Sequence, residues 1–152
     1  MPLLNNNWNE LYKLQNKVLE ALKGHYGKFH LTGGTALGRF YLNHRYSEDL
    51  DLFVNRDPEF KKYIGEVRQI LSSKFTVSED KIILYDDFVR LWIDDVVELK
   101  VEMVNDVVDR WGEPIPAEQI PVDTVCNILA NKLTALLSRD EPKDVFDIVT
   151  IS

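Results

Sequence analysis

The chain has 152 residues, 45% of them hydrophobic and 28% charged, which is the composition of one globular domain with a sizeable core. Its formal net charge of −7 argues against broad, non-specific nucleic-acid binding, which requires a basic surface. The sequence lacks a signal-peptide pattern and any apolar run of roughly 20 residues, so a cytoplasmic protein with no membrane partner is predicted. The single Cys126 lies among apolar residues and is predicted to be a buried thiol.

The first elements lead into a glycine turn. A helix with one apolar stripe is predicted over 8–23, and a short apolar strand over 29–32 is broken by Gly33 and Gly34. Helical spacing resumes over 35–44. Because glycines before a helix leave backbone N–H groups open to close approach, this turn is a candidate phosphate-binding element.

The next strand carries two aspartates on one face. Alternation over 49–54 separates Asp49 and Asp51 from the leucines between and after them. With the leucines facing the core, both carboxylates point the same way, and their repulsion calls for a compensating cation. Magnesium accepts such carboxylates together with substrate phosphates. The turn and the strand predict a site for a nucleoside triphosphate (NTP) with Mg²⁺ or Mn²⁺. The alternative is a hairpin-like turn beside a solvated acidic strand.

The string LTGGTAL…FYLNHRYSEDLDLF resembles the first motif of the DNA polymerase β-like nucleotidyltransferase superfamily. More narrowly, it is similar to the abortive-infection toxin nucleotidyltransferases of the AbiEii/AbiGii group. In that group a G-G-T-x-L turn is followed by R-x-S-x-D-x-D, and the matching residues here are Arg45, Ser47, Asp49 and Asp51. The resemblance implies that Asp49 and Asp51 bind the metal, while Thr35 or Ser47 helps the glycine turn to hold phosphates and Arg45 neutralises charge.

The middle of the chain predicts one helix and a set of strands. The helix is expected over 57–73, with an Asp-Pro start. The strands are expected over 75–77, 82–85, 88–93 and 96–104, as an antiparallel meander added to the strand pair of the motif. The predicted class is α+β, in an α/β/α-like arrangement of a mixed, mostly antiparallel sheet with flanking helices. By resemblance this is the nucleotidyltransferase fold.

The last of these strands offers a third carboxylate. Its apolar residues alternate with Glu98, Lys100 and Glu102, which share the other face. Two-metal phosphoryl transfer commonly needs a third acid, which the resembled superfamily takes from a later neighbouring strand. Glu102 is preferred because it lies deepest in the apolar run, and Glu98 is the substitute. The alternative is an outward-facing Glu-Lys-Glu surface.

The C-terminal part is predicted to pack on the same domain. A nucleotidyltransferase core over 1–110 is followed over 111–152 by a proline-rich linker and then two helices, the first capped by Asp123. The resembled group usually continues into a larger helical lobe. The chain is therefore expected to be either a compact member or a piece of a longer protein.

The C-terminal part also matches a pattern of the resembled group, at Lys132, Ala135, Arg139, Lys143-Asp144 and Asp147-Ile148. By resemblance, Lys132 contacts the triphosphate, and Asp144 or Asp147 fixes neighbouring groups. The structural alternative is a snorkelling lysine and two aspartates that favour a helix N-terminus.

Together these residues predict a metal-dependent nucleotidyltransferase that moves an NMP from an NTP to a hydroxyl acceptor. The resemblance implies the toxin of a toxin–antitoxin or abortive-infection system, with an RNA end or a protein hydroxyl as acceptor and a cognate antitoxin as partner. Two alternatives stay open. One is an antibiotic-type transferase, whose small cationic acceptor would suit the acidic chain. The other is a catalytically silent nucleotide-binding or interaction module.

Overall fold

The computed structural model describes residues 5–24, 29–42, 47–107, 110, 112–117, 120–139 and 142–151, excluding the side chains of 5–7, 135–139 and 142–146. The α-helices are α1 (Asn5–Leu22), α2 (Gly33–Ala36), α3 (Phe60–Lys74), α4 (Val125–Arg139) and α5 (Pro142–Ile151). The strands are β1 (His30–Thr32), β2 (Leu50–Asn55), β3 (Thr76–Val77), β4 (Ile83–Leu84), β5 (Phe88–Asp94) and β6 (Glu98–Asp106). A π-helical segment, Leu37–Leu42, continues α2. Every helix in the described part of the chain is too short or too polar to cross a bilayer.

The strands form one mixed sheet in the order β1-β2-β6-β5-β3, with β4 also paired to β5. Among the strands named above, β2 and β6 form the one parallel pair, and the other pairs are antiparallel. The predicted α+β class with a mostly antiparallel sheet is therefore confirmed. The expected meander is wrong at two joins. β3 pairs with β5 and not with β4, and β6 lies parallel to β2 because α3 and the strands after it return the chain beside β2 in the same direction.

One face of the sheet forms the core against α1 and α3. The buried strand residues on that face are Leu50, Leu52, Val54, Val89, Leu91, Ile93, Leu99, Val101 and Met103. Burial of each such side chain stabilises the fold by about 2 kcal/mol. A slip of β2 by one residue would expose its three buried side chains and would therefore be strongly destabilising. The same alternation places the charged residues of β2 and β6 together on the opposite face.

Two local predictions differ from the structure. β6 begins at Glu98, two residues later than expected, because the Asp95 N–H donates to the Val97 carbonyl (3.1 Å) and closes a turn. Cys126, predicted to be buried, is exposed, because α4 turns the adjacent Asn127 and Ile128 toward the interior instead.

The segment before α4 runs along the free edge of β1. The Leu31 N–H donates to the Pro121 carbonyl and the Asp123 N–H donates to the Leu31 carbonyl, both at 2.8 Å. Ile120 and Val122 are buried in the same core as the sheet. The proline-rich stretch predicted as a linker thus contributes backbone pairing and apolar side chains to the domain.

Asp123 joins the end of β1 to the start of α4. Its fully buried carboxylate accepts hydrogen bonds from Thr32 Oγ1, Arg110 Nη2 and Asn127 Nδ2, each at 2.7 Å. It was predicted to cap α4, but the cap is Thr124, whose Oγ1 accepts the Asn127 N–H at 3.1 Å. Charge-assisted bonds of this kind hold the glycine turn and α4 in one arrangement.

Candidate active site

The glycine turn lies directly against the second aspartate of the motif. Thr32, the last residue of β1, pairs with Asp51 of β2, so the chain enters the turn beside the Asp51 side chain. Gly33 has a φ of +74°, and a Cβ at this position would overlap Asp51 Oδ2 and lie 3.2 Å from Asp51 Cγ. Both the backbone conformation and the close approach therefore require glycine.

Three carboxylates lie on the face of the sheet opposite the core. The parallel register pairs Asp51 with Glu102, and Asp49 lies on the same side one residue before β2. Glu98 lies four residues earlier on β6, where its carboxylate pairs with Lys81 at 3.2 Å. Of the two candidates for a third acid, the structure places Glu102 beside Asp51.

Lys100 lies between two of these carboxylates. Its Nζ is 3.2 Å from Asp49 Oδ2 and 3.3 Å from Glu102 Oε1. Burial alone would lower the pKa of Lys100, but the charges of Asp49 and Glu102 and the hydrogen bonds to them raise it, so the ammonium form is retained. The sequence placed Lys100 on this face through the E-L-K-V-E alternation but assigned it no role.

The cluster carries more negative charge than its cations compensate. Burial, followed by the charges of Asp49 and Glu102, raises the pKa of Asp51 from 3.8 to about 7. Lys100 and Lys132 lower that pKa only in part. A carboxyl group beside other carboxylates gains from any additional cation that binds near it.

The residues fit a divalent cation by donor chemistry. Carboxylate oxygens are the ligands that Mg²⁺ and Mn²⁺ prefer, and Gly33 leaves no side chain in front of Asp51. Within the described residues, no three His, Cys, Asp or Glu side chains converge as a ready-made ligand group. Lys100 instead engages one oxygen each of Asp49 and Glu102.

The two hydroxyls predicted to contact phosphates are engaged inside the protein. The Thr35 side chain is fully buried, and its Oγ1 contacts the carbonyl oxygen of Asp49 and Ser47 Oγ (3.0 Å). Gln15 of α1 donates to the Ser47 carbonyl at 3.1 Å. In this arrangement both hydroxyls hold the loop before β2, and their contact with phosphate stays a prediction. Arg45 lies outside the described residues.

Lys132 forms a buried ion pair that links the two C-terminal helices. Its Nζ is 2.9 Å from Asp147 Oδ2, and the two side chains are 7% and 0% exposed. Lys132 also lowers the pKa of Asp51, so the positive charge of the lysine acts on the carboxylate cluster. The predicted contact of Lys132 with the triphosphate and the predicted role of Asp147 beside it stay predictions, and the structure shows the pair that joins α4 to α5. The side chain of Asp144 lies outside the described residues.

Replacing Asp147 with Asn is expected to lower the free energy of unfolding by about 3 kcal/mol, because removal of one member of a buried pair strands charge in a poorly solvated position. Urea unfolding measures this change. The matched control is Asp86→Asn, which breaks the exposed Lys61–Asp86 pair (75% and 88% exposed) and should cost roughly 0.5 kcal/mol or less. Equal effects of the two substitutions would contradict the prediction.

A mixed sheet with a glycine turn against an acidic strand, and a third acid on the parallel neighbour, defines a nucleotidyltransferase fold. The structure of JHP933 from Helicobacter pylori matches 96% of this chain with a TM-score of 0.68 at 23% identity. MenT4, the nucleotidyltransferase toxin Rv2826c from Mycobacterium tuberculosis H37Rv, matches 83% with a TM-score of 0.56 at 18% identity. The chain spans 66% of the length of JHP933 and 52% of that of MenT4.

The family described as "Nucleotidyl transferase AbiEii toxin, Type IV TA system" matches residues 17–152. The chain therefore belongs to the AbiEii nucleotidyltransferase toxin family. None of the curated protein sequences matches it.

Proposed function

We propose that this protein is a metal-dependent nucleotidyltransferase that moves an NMP from an NTP to a hydroxyl acceptor and acts as the toxin of a toxin–antitoxin or abortive-infection system. The observation that carries the proposal is the direct contact between the Gly33 turn and the Asp51 carboxylate, with Asp49 and Glu102 on the same face. A cognate antitoxin is the partner that membership of a toxin family suggests.

In the proposed mechanism, Asp49, Asp51 and Glu102 are the residues that would hold Mg²⁺ or Mn²⁺. The ion, when bound, supplies charge neutralisation at the phosphates of the NTP. Backbone N–H groups at Gly33 and Gly34 begin a helix and lack acceptors within it, so they are suited to bind the β- and γ-phosphates.

The transfer itself is an attack by the acceptor hydroxyl on the α-phosphorus of the NTP. The acceptor oxygen forms a bond to the α-phosphorus while the bond from the α-phosphorus to the bridging oxygen breaks, and pyrophosphate leaves. The acceptor proton passes to Glu102, which lies in the same row of the sheet as Asp51. The positive charge of Lys132, which lowers the pKa of Asp51, would offset negative charge on the triphosphate. Catalysis is then mainly orientation and charge stabilisation.

Calorimetric titration with each NTP in the presence of Mg²⁺ tests this function, comparing the wild type with Asp49→Asn. We expect metal-dependent NTP binding that the substitution weakens by roughly a hundredfold or more, because it removes a ligand charge. Asp86→Asn removes the same charge from an exposed position and should leave binding unchanged. Equal NTP binding by wild type and Asp49→Asn would contradict the proposal.

Incubation with labelled NTPs in cell extract identifies the acceptor. Labelling of an RNA end or of a protein supports the toxin activity. Labelling of small cationic molecules alone points to the antibiotic-type transferase instead. Binding of NTP without pyrophosphate release across RNA, protein and aminoglycoside acceptors points to the silent module.

A further inference from the structure

The cation that holds the acidic cluster together is a side chain of the protein. Lys100 Nζ contacts one oxygen of Asp49 at 3.2 Å and one oxygen of Glu102 at 3.3 Å. The second oxygen of Glu102 is 3.4 Å from Arg90 Nη2. Both oxygens of Glu102 are therefore engaged by cationic side chains, and a metal ion bound at either oxygen would be repelled by the ammonium or the guanidinium already there.

Of the two cations, Lys100 is the one that can move away more easily. The guanidinium of Arg90 is planar and lies 5.5 Å from the ring centroid of Phe88, which favours its present orientation. The Lys100 ammonium stands on a flexible four-carbon chain, and no aromatic ring holds it in place among its described contacts. Both side chains reach solvent, at 23% exposed for Lys100 and 33% for Arg90, so flexibility and not exposure distinguishes them. Release of Lys100 frees an oxygen of Asp49 and an oxygen of Glu102 at once.

We propose that Lys100 is an internal counter-ion that competes with divalent metal for Asp49 and Glu102, and that it must leave both carboxylates when the metal binds. This inference rests on the proposed function, since it takes the same carboxylates as metal ligands. Lys100 stabilises the metal-free cluster against the repulsion among Asp49, Asp51 and Glu102, and it weakens the affinity for free metal. The two effects have one cause, because the same two oxygens serve both cations.

Calorimetric titration with Mn²⁺ alone tests the competition in wild type, Lys100→Met and Lys81→Met. Methionine keeps the length of the side chain and removes its charge. We expect Lys100→Met to bind Mn²⁺ on the order of tenfold more tightly, the usual size of coupling between two binding events. Lys81 pairs with Glu98 on the same face of β6, away from Asp51, so Lys81→Met should bind Mn²⁺ like the wild type. Equal or weaker Mn²⁺ binding by Lys100→Met would overturn the inference.

The Asp49→Asn variant separates this inference from the proposed function. Loss of Mn²⁺ binding in Asp49→Asn, with no gain in Lys100→Met, leaves the metal site in place and rejects the competition. Equal Mn²⁺ binding in wild type and Asp49→Asn rejects the metal site, and the competition with it.

Amine labelling of the wild-type protein provides a second measurement that needs no substitution. An acylating reagent modifies exposed lysines, and mass spectrometry compares Lys100 with Lys81 before and after addition of Mn²⁺. We expect labelling of Lys100 to rise several-fold with Mn²⁺, because the released ammonium reaches solvent, while labelling of Lys81 stays constant. Unchanged or reduced labelling of Lys100 would overturn the inference.

Discussion

Replacing Asp51 with Asn is expected to lower nucleotidyl transfer by roughly a thousandfold while making the metal-free protein more stable at pH 8. The loss of activity follows from the proposed function, in which Asp51 supplies a metal-ligand charge worth several kcal/mol of transition-state stabilisation. The gain in stability follows from the surroundings of Asp51. Its ionised form is buried beside Asp49 and Glu102, and Asn cannot ionise.

The raised pKa of Asp51 determines how the stability difference between Asp51→Asn and wild type changes with pH. The pKa of Asp51 is raised from 3.8 to about 7, so between these values the folded protein holds the proton more tightly than the unfolded chain. Its contribution to stability is therefore present in full below about pH 4 and lost as the pH rises through 7. The difference in free energy of unfolding between Asp51→Asn and wild type should grow by about 2–3 kcal/mol from pH 5 to pH 8.

Urea unfolding in EDTA at both pH values measures that difference. Burial is the main reason that the pKa of His30 is lowered to about 4, so the contribution of His30 to stability is lost as the pH falls. His30 titrates alike in both proteins, so this contribution cancels in the difference between them. Asp86→Asn, at an exposed site, should show the same small difference from wild type at both pH values. A difference for Asp51→Asn that does not change with pH would contradict the prediction.

The second large effect is expected from Gly33→Ala, which should lower activity at least about a hundredfold and destabilise the fold by about 2–3 kcal/mol. At a φ of +74° a side chain costs about 1 kcal/mol in backbone energy. The added methyl group also overlaps Asp51 Oδ2, so the carboxylate must leave its present position. Catalysis that depends on orientation is sensitive to such a shift.

Gly24→Ala is the matched control for this substitution. Gly24 has a φ of +80° and nothing within 4 Å of an added Cβ, so it carries the same backbone cost without the overlap. It should destabilise the protein by about 1 kcal/mol and leave transfer unchanged. Activity assays and urea unfolding of the two variants isolate the contact with Asp51. Equal activity of Gly33→Ala and Gly24→Ala would show that the turn does not position this carboxylate.

Local patterns in the sequence were sufficient for the elements of the site. Alternation in β2 separated Asp49 and Asp51 from the core, and the paired glycines marked the turn before α2. These patterns can be recognised because burial of every second strand residue produces an alternation of apolar and polar residues that is visible within a few positions. Alternation also put Glu98 and Glu102 on one face, and the family resemblance implied that a later strand supplies a third acid. The register of β2 and β6 places Glu102 beside Asp51.

Pairings between distant segments could not be obtained in this way. The parallel join of β2 to β6, the bonds of Asp123 to Thr32 and Arg110, and the exposed position of Cys126 all depend on how remote elements pack. Asp123 has the sequence features of a helix cap, and only its neighbours in space show that it joins β1 to α4. A short-range pattern carries no information about such neighbours.

By itself, the sequence determined the class of fold, the glycine turn and the acidic strand, because periodicity and turn chemistry act over a few residues. Tertiary structure alone decided that Gly33 contacts Asp51, that Lys132 pairs with Asp147, and that Lys100 lies between two carboxylates. The physical reason is that close packing and ion pairs require the two groups to lie within about 4 Å of each other, so their partners are set by strand register and helix packing rather than by distance along the chain.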